Sequence, residues 1–292
     1  MYKITLLVLF LSSFAYCQKE KRDTIIIKKT YSQKWELNDA DKKGTFRLMS
    51  YKPIYLTAGR ISSNPNKQPT SENPDYSTTT KTAYKTIEAK FQLSFKTKVV
   101  QDLLWRKGDI WIGYTQKAHW QVYNSNISRA FRELNYEPEI ILNFPLHFDF
   151  FGGKFKSVGI TLNHQSNGKN LPVSRSWNRI IFNTAFELND WIITIHPWIR
   201  IADKEDENPK ITKYIGNGEV NVSYTYNKHQ FYTIITHPFS SFEGGSIQLN
   251  YVFPIKGHLR GQVQAFDGYG ETLIDYNHRQ TTFGIGISFA DW

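Results

Sequence analysis

The sequence predicts an all-β fold, a twelve-stranded antiparallel transmembrane β-barrel. Three observations lead there. Segments of about ten residues alternate apolar and polar side chains, the length at which a tilted strand crosses a bilayer. Aromatic residues make up 15% of the 292 positions, with 17 Tyr, 20 Phe and 8 Trp, and membrane interfaces favour such rings. The last alternating segment runs into a terminal aromatic residue, Trp292, as outer-membrane barrels end.

The alternation is strict. Ile87, Ala89, Phe91, Leu93 and Phe95 interleave with Glu88, Lys90, Gln92, Ser94 and Lys96. Val220, Val222, Tyr224 and Tyr226 interleave with Glu219, Asn221, Ser223 and Thr225. Ile247, Leu249, Tyr251 and Phe253 form another such face, as do Phe283, Ile285, Ile287 and Phe289. Period two puts one set on each side of a strand. A soluble sandwich would turn the apolar set inward, whereas a membrane barrel turns it toward lipid around a polar lumen. Charged and amide side chains on the polar face fit the lumen. Roughly eleven such segments follow residue 86, and a twelfth is expected near residues 52–59. Bacterial barrels close with even strand numbers and leave no edge, which sets the count at twelve.

The first residues read as an export signal: Met1-Tyr2-Lys3, an apolar run over 4–10, then small residues at Ser12, Ser13 and Ala15. The run is too short to span a bilayer as a helix. Cleavage is expected after Cys17, leaving Gln18 first; lipid attachment at Cys17 is the alternative, which Tyr16 fits poorly. Cys17 is the one cysteine of the chain, so its removal leaves neither disulfide nor thiol chemistry. The expected organisation is a signal peptide over 1–17, an N-terminal extension with a first strand and loops over 18–85, and the barrel over 86–292, placed in the outer membrane. Within the second part, 18–45 are charged and weakly patterned, and 60–82 are rich in Ser, Thr, Asn and Pro, a loop composition. The formal net charge is +10, one less without Lys3, and its Lys and Arg are dispersed. That excludes a nucleic-acid partner for an exported chain and fits anionic headgroups or polysaccharide.

Chemistry concentrates between Ser157 and Arg179. Val158, Ile160 and Leu162 share a strand face, and the same period carries His164 and Ser166 onto it. If that face meets lipid, so do the imidazole and the hydroxyl. A serine needs an adjacent base to become a nucleophile, and a histidine two residues away on the same face can reach it. On the next strand Asn178 shares a face with Ile180, Phe182 and Thr184; its amide oxygen could fix the imidazole tautomer, as the third member of a triad does. No G-x-S-x-G elbow surrounds Ser166, so an α/β-hydrolase is not indicated. Taken alone, His-x-Ser is far more often a polar pair at a loop edge.

Longer runs carry a family resemblance. Tyr114-Thr115-Gln116, Phe131-Arg132-Glu133, Asn135-Tyr136-Glu137-Pro138-Glu139, Asn163-His164-Gln165-Ser166-Asn167-Gly168 and Ser174-Arg175-Ser176-Trp177-Asn178-Arg179 resemble bacterial outer membrane phospholipase A, as do Pro197-Trp198, Asn208-Pro209, Ile211-Thr212-Lys213-Tyr214 and Gly268-Tyr269-Gly270-Glu271-Thr272-Leu273-Ile274-Asp275-Tyr276-Asn277. The resemblance covers about residues 86–292 in order. It implies a twelve-stranded barrel that hydrolyses acyl esters of phospholipids and lysophospholipids, needs calcium, and is active as a homodimer. By position it implies Ser166 as nucleophile, His164 as base and Asn178 as the orienting residue. For calcium it implies the Lys169 carbonyl, the Ser174 hydroxyl and the Ser128 carbonyl of a second copy.

The chain departs from the family pattern in places. Leu171 stands where an acidic calcium ligand is frequent, and the turn Asp203-Lys204-Glu205-Asp206-Glu207 is one residue longer, so the second acidic ligand is either Asp206 or Glu207. Lys169 replaces a more usual Arg. Few carboxylates imply weak calcium binding. Gln116 resembles a dimer-interface glutamine facing lipid, with a lumen position as the alternative. His196, His229, His237, His258 and His278 lack metal-ligand spacing and read as interface or loop residues. Gly268-Tyr269-Gly270 reads as a barrel turn or kink, not a phosphate loop. Two rival functions share the fold: a solute-conducting barrel, and a surface barrel that binds a partner or anchors lipopolysaccharide.

Overall fold

The computed structural model describes residues 29–237 and 244–289. The expected signal segment with Cys17, and the terminal Trp292, lie outside them. Alternating segments become strands in chain order: β1 (Met49–Ser50), β2 (Tyr55–Ser62), β3 (Ile87–Asp102), β4 (Gly108–Trp120), β5 (Glu133–Phe150), β6 (Gly153–Ser166), β7 (Ser176–Leu188), β8 (Trp191–Ile201), β9 (Gly218–Tyr226), β10 (His229–Thr236), β11 (Ser246–Lys256), β12 (Leu259–Gly268) and β13 (Gln280–Ser288). Every pairing is antiparallel, each of β2 to β12 pairs with its successor, and β13 returns to β2. β1 and β2 are two pieces of one wall position, because both pair with β3, at Met49↔Lys96 and Tyr55↔Gln92. The result is a closed twelve-stranded barrel. Its first strand, expected at 52–59, runs over 55–62, so Arg60, Ile61 and Ser62 are wall and not loop.

Burial along the strands is inverted relative to a soluble protein. On β3, Leu93 and Phe95 are exposed while Glu88, Lys90, Ser94, Lys96 and Lys98 are buried. On β6, Val158, Ile160 and Leu162 are exposed, and Ser157, Thr161 and Asn163 are buried. A soluble sheet would not leave Leu162 52% exposed while Lys96 is 2% exposed; lipid outside and a polar lumen inside produce this pattern. The 14 residues of β6 extend about 46 Å at 3.3 Å each, which is about 35 Å across a membrane at a tilt near 40°. No helix among the described residues is long and apolar enough to cross a membrane.

The two barrel ends differ. Tight turns at 151–152, 189–190, 227–228 and 257–258 close one end, with Asn189 and Asn227 in the left-handed backbone region that such turns require. Loops over 63–86, 121–132, 167–175, 202–217 and 269–279 occupy the other. Short periplasmic turns and long outer loops are the rule for bacterial barrels, so the long-loop end is the outer mouth.

Buried charges are paired across the lumen, as burial demands. Glu88 receives Arg60, at 3.0 Å, His119, at 2.8 Å, and Arg132, at 2.8 Å and 3.0 Å. The 269–279 loop turns inward, bringing Glu271 to Arg60 and to Lys90 (3.0 Å) and Asp275 to Arg132 (3.1 Å). At the turn end the lumen is filled from the N-terminal side. Helix α1 (Tyr31–Trp35) is started by a capping box in which Thr30 and Gln33 exchange side-chain bonds. Its Trp35 lies edge-on to Trp111 and Tyr51, and Lys96 stands 3.0 Å over the Trp35 ring. Glu36 then meets Lys98 at 2.9 Å. Residues 30–36 of the weakly patterned segment are therefore built into the barrel.

Candidate active site

His164 and Ser166 end strand β6 at the outer mouth. They continue the lipid-facing row of Val158, Ile160 and Leu162, as the alternation requires. Register sets their neighbours: His164 lies directly opposite Asn178 on β7, and Ser166 opposite Ser176 on β7 and Tyr136 on β5. Directly opposed residues bring their side chains within reach. Accordingly, His164 Nδ1 stands 2.8 Å from Asn178 Oδ1. An amide oxygen only accepts, so Nδ1 carries the proton and Nε2 is left as the proton acceptor. Among the described residues no hydrogen bond joins Ser166 to His164. Their backbones are two residues apart on one face, about 6.7 Å, a gap the two side chains can close by rotamer choice.

Behind the pair, the 167–175 loop is folded around Asn167. Its amide N donates to the Arg175 carbonyl at 3.0 Å, and its Oδ1 receives the backbone amides of Arg175, at 3.0 Å, and Lys169, at 3.3 Å. Its Nδ2 reaches the Val173 carbonyl at 2.8 Å. Gly168 sits at φ +62°, and a Cβ there would lie 3.0 Å from the Tyr136 ring, so both backbone and space require glycine.

The calcium ligands expected from the resemblance can be tested for fit. Ser174 Oγ donates to Glu207 Oε1 at 2.7 Å, while Glu207 Oε2 is buried with no hydrogen-bond partner among the described residues. A buried carboxylate oxygen without a donor invites a cation. Asp206 is already engaged, by the Arg200 guanidinium and by the Asn208 amide at 3.0 Å. Between the two acidic alternatives, Glu207 is the one with a free oxygen beside Ser174. Ser71 Oγ and Asn73 Nδ2 clamp this turn through the Glu207 and Asp206 carbonyls, at 2.7 Å and 3.1 Å. The Ser128 carbonyl accepts from Trp120 Nε1 at 2.8 Å and keeps a second lone pair. Oxygen donors suit calcium, and Ser174 with the unpartnered Glu207 oxygen fits such an ion, although no group of three His, Cys, Asp or Glu gathers among the described residues.

Charge is tied down around the mouth. Lys210, and then the Tyr214 phenol, hold the Glu72 carboxyl below the usual carboxylate range. Desolvation, reinforced by bonding to Glu72, pushes the Tyr214 phenol up to about 12. Burial pushes Asp275 up, but the Arg132 charge and the Thr272 hydroxyl outweigh it and hold the group low.

The phospholipase A1 family model matches residues 31–289. The chain belongs to the phospholipase A1 family. A relative from Neisseria meningitidis is 39% identical over 267 residues, covering 88% of this chain and 69% of its own length. The Escherichia coli phospholipase A1 is 37% identical over 204 residues, 70% of each chain. Among solved structures, the outer membrane phospholipase A of Escherichia coli superposes with a TM-score of 0.76 at 33% identity, covering 84% of this chain and 99% of that one. The Salmonella typhi enzyme, solved as a dimer with bound calcium, gives 0.75 at 32% identity, covering 86% and 94%. As a member of this family the chain is a phospholipase and an outer-membrane barrel.

The structural roles of several residues around the site escaped the sequence reading. Tyr136, Asn167, Glu133 and the Ser71–Asn73 clamp are set by inter-strand register and loop folding, which period-two patterning does not reveal. Gln116 falls on the outer face beside Tyr114, whose hydroxyl donates to it at 3.2 Å, and opposite Tyr136. His196 corrects its reading as an interface or loop residue. It faces the lumen from β8, with Nδ1 at 2.8 Å from Asn183 Oδ1 and Nε2 at 2.8 Å from Thr194 Oγ1. That arrangement repeats the hydrogen bonds of a triad on the wrong side of the wall for a lipid. A lumen cavity of about 310 Å³ touches His196, Thr194 and Asn183 but neither Ser166 nor His164. Membership of the site is decided by the lipid-facing side as much as by hydrogen bonding.

Proposed function

We propose that this chain hydrolyses the acyl esters of phospholipids and lysophospholipids with Ser166 as nucleophile, His164 as general base and Asn178 as its orienting partner, in a calcium-dependent reaction activated by dimerisation. The observation that carries the reading is the 2.8 Å contact between His164 Nδ1 and Asn178 Oδ1 on the lipid side of β6, two residues from Ser166. His164 Nε2 takes the proton as Ser166 Oγ bonds to the ester carbonyl carbon, and backbone amides of the Ser166–Gly168 turn receive the developing oxyanion. Collapse breaks the bond to the glycerol oxygen, which leaves with the proton from His164. Water, deprotonated by His164, then cleaves the acyl-serine and releases the fatty acid. Substrate reaches Ser166 sideways from the bilayer.

Lys169 through its carbonyl, Ser174 through its hydroxyl and Glu207 through its carboxylate would hold calcium, with the Ser128 carbonyl of a second copy. Bound there, the ion supplies positive charge beside the ester carbonyl. Asp206, committed to Arg200, is the weaker candidate. Dimerisation is supported by the outward position of Gln116, in one cross-strand row with Tyr136 and Ser166. A conducting function is disfavoured because α1 and the 269–279 loop both enter the lumen.

The test compares purified wild type and Ser166→Ala in detergent on defined phospholipids, with calcium or excess chelator and with crosslinking alongside. Calcium-dependent hydrolysis lost in Ser166→Ala is expected. Equal hydrolysis by both would remove Ser166 from the mechanism, and full activity in chelator would remove calcium.

A further inference from the structure

Glu133 opens strand β5 at the outer mouth, and its side chain is fully buried. It turns into the lumen, away from the lipid face that carries Tyr136. Its carboxylate meets two separate loops and its own strand. Oε2 lies 3.0 Å from Lys169 Nζ. Oε1 receives Asn167 Nδ2 at 3.2 Å and the Ile274 backbone amide at 3.3 Å. Asn135 Nδ2, on its own strand, also donates to Oε1, at 2.9 Å. Lys169 Nζ additionally donates to the Arg132 carbonyl, and Arg132 is itself locked between Glu88 and Asp275.

The geometry points to Glu133 as a positioning residue: through Lys169 and Asn167 it holds the 167–175 loop from the lumen side, so that the backbone following Ser166 stays aligned with the lipid-facing site. The inference rests on the proposed roles of Ser166 and of the Lys169 carbonyl. The physical case is one of leverage. A carbonyl ligand and oxyanion amides are backbone groups, so their placement depends on what fixes their side chains. Lys169 and Asn167 flank Gly168, the one residue of that turn with no side chain to anchor it. Both flanking side chains end on the same buried carboxylate. Ile274 ties that carboxylate in turn to the 269–279 loop, so the brace spans three elements and leaves the loop little room to drift.

Glu133→Gln keeps the shape and removes the charge facing Lys169. Lys169→Met removes the ammonium from the partially open mouth, where truncation is tolerated better. Lys169→Arg keeps the charge. Each variant is refolded in detergent, and folding is checked by its unheated gel mobility. Terbium titration, followed by sensitised luminescence, reports the calcium position without reference to activity; kcat and KM are measured at saturating calcium. Glu133→Gln and Lys169→Met are each expected to raise the terbium half-saturation concentration about 10-fold and lower kcat about 10-fold, with KM unchanged. The double variant should be no worse than the poorer single one, and Lys169→Arg, which restores the cation, should recover terbium binding relative to Lys169→Met. Folded Glu133→Gln with wild-type kcat and terbium binding overturns the inference, as does a loss confined to thermal stability. Should Ser166→Ala remain active, the catalytic reading fails, and the terbium arm still decides whether Glu133 positions the loop.

Discussion

Removing the Asn178 amide should separate orientation from binding at the proposed site. Asn178→Ala deletes the acceptor 2.8 Å from His164 Nδ1 and leaves Ser166, the loop and the lipid-facing row untouched. A neutral hydrogen bond contributes about 0.5–1.5 kcal/mol net in water-accessible settings. Once His164 takes the proton the bond comes from a charged donor, and such bonds contribute about 1.5–3 kcal/mol. What is lost is the preference for the tautomer and ring orientation that present Nε2 to Ser166. With a tenfold rate change per about 1.4 kcal/mol, kcat should fall about 10- to 100-fold. KM should not move, because Asn178 touches His164 and not the lipid. Asn178→Asp preserves the acceptor and should retain at least a tenth of the activity, by the same relation, about 1.4 kcal/mol. The assay is initial-rate hydrolysis of a defined phospholipid in mixed micelles, normalised to folded protein. Wild-type kcat in Asn178→Ala, or a defect confined to KM, would refute the orienting role.

Other expectations concern the mouth. Glu207→Gln should weaken terbium binding about 10-fold, as loss of a charged ligand does, whereas Asp206→Asn should weaken it less, since Arg200 holds that carboxylate; the reverse order would move the ligand to Asp206. Gly168→Ala, forced to a positive φ against the Tyr136 ring, should cost about 1–2 kcal/mol in denaturant unfolding and lower kcat; a silent substitution would contradict the loop geometry. Glu72 and Asp275 are held below their ordinary range, so the stability they contribute is present above the unfolded carboxylate pKa and is lost as pH falls through the lower folded values. Tyr214 is raised to about 12, so its share is present below the unfolded phenol value and is lost as pH rises through that figure. Amide exchange over 70–76 and 269–279 should therefore, after correction for intrinsic rates, accelerate in acid before the barrel strands do.

The wall of the barrel was readable because lipid enforces period two on every strand, and 87–96 or 280–288 offer no competing pattern. His164 and Ser166 were readable for the same reason, being two steps further along a row already marked by Val158, Ile160 and Leu162. Side chains whose roles depend on a partner strand were less so. Asn178 could be placed on the correct face, but its pairing with His164 follows from the length of the 167–175 loop, and the same loop decides that Glu133 faces Lys169. The sequence left Asp206 and Glu207 equivalent because the pairing of Arg200 with Asp206 arises only in the folded turn. Helix α1 was illegible for a further reason: it is held by contacts with a lumen that exists only after the barrel closes, so its apolar residues follow the shape of that cavity and no regular repeat.

The alternation of β6 also limits how the enzyme can change. Its wall is one residue thick, and adjacent positions report to different solvents: His164 and Ser166 to the bilayer, Asn163 and Gln165 to the interior. Substitution can adjust either column independently. A one-residue insertion or deletion between Val158 and His164 cannot, because it exchanges the columns and turns Ser166 inward toward the charged lumen while amides emerge into lipid. Such length changes in β6 should abolish activity, so the reading frame of the strand carries information separate from the identity of any residue in it.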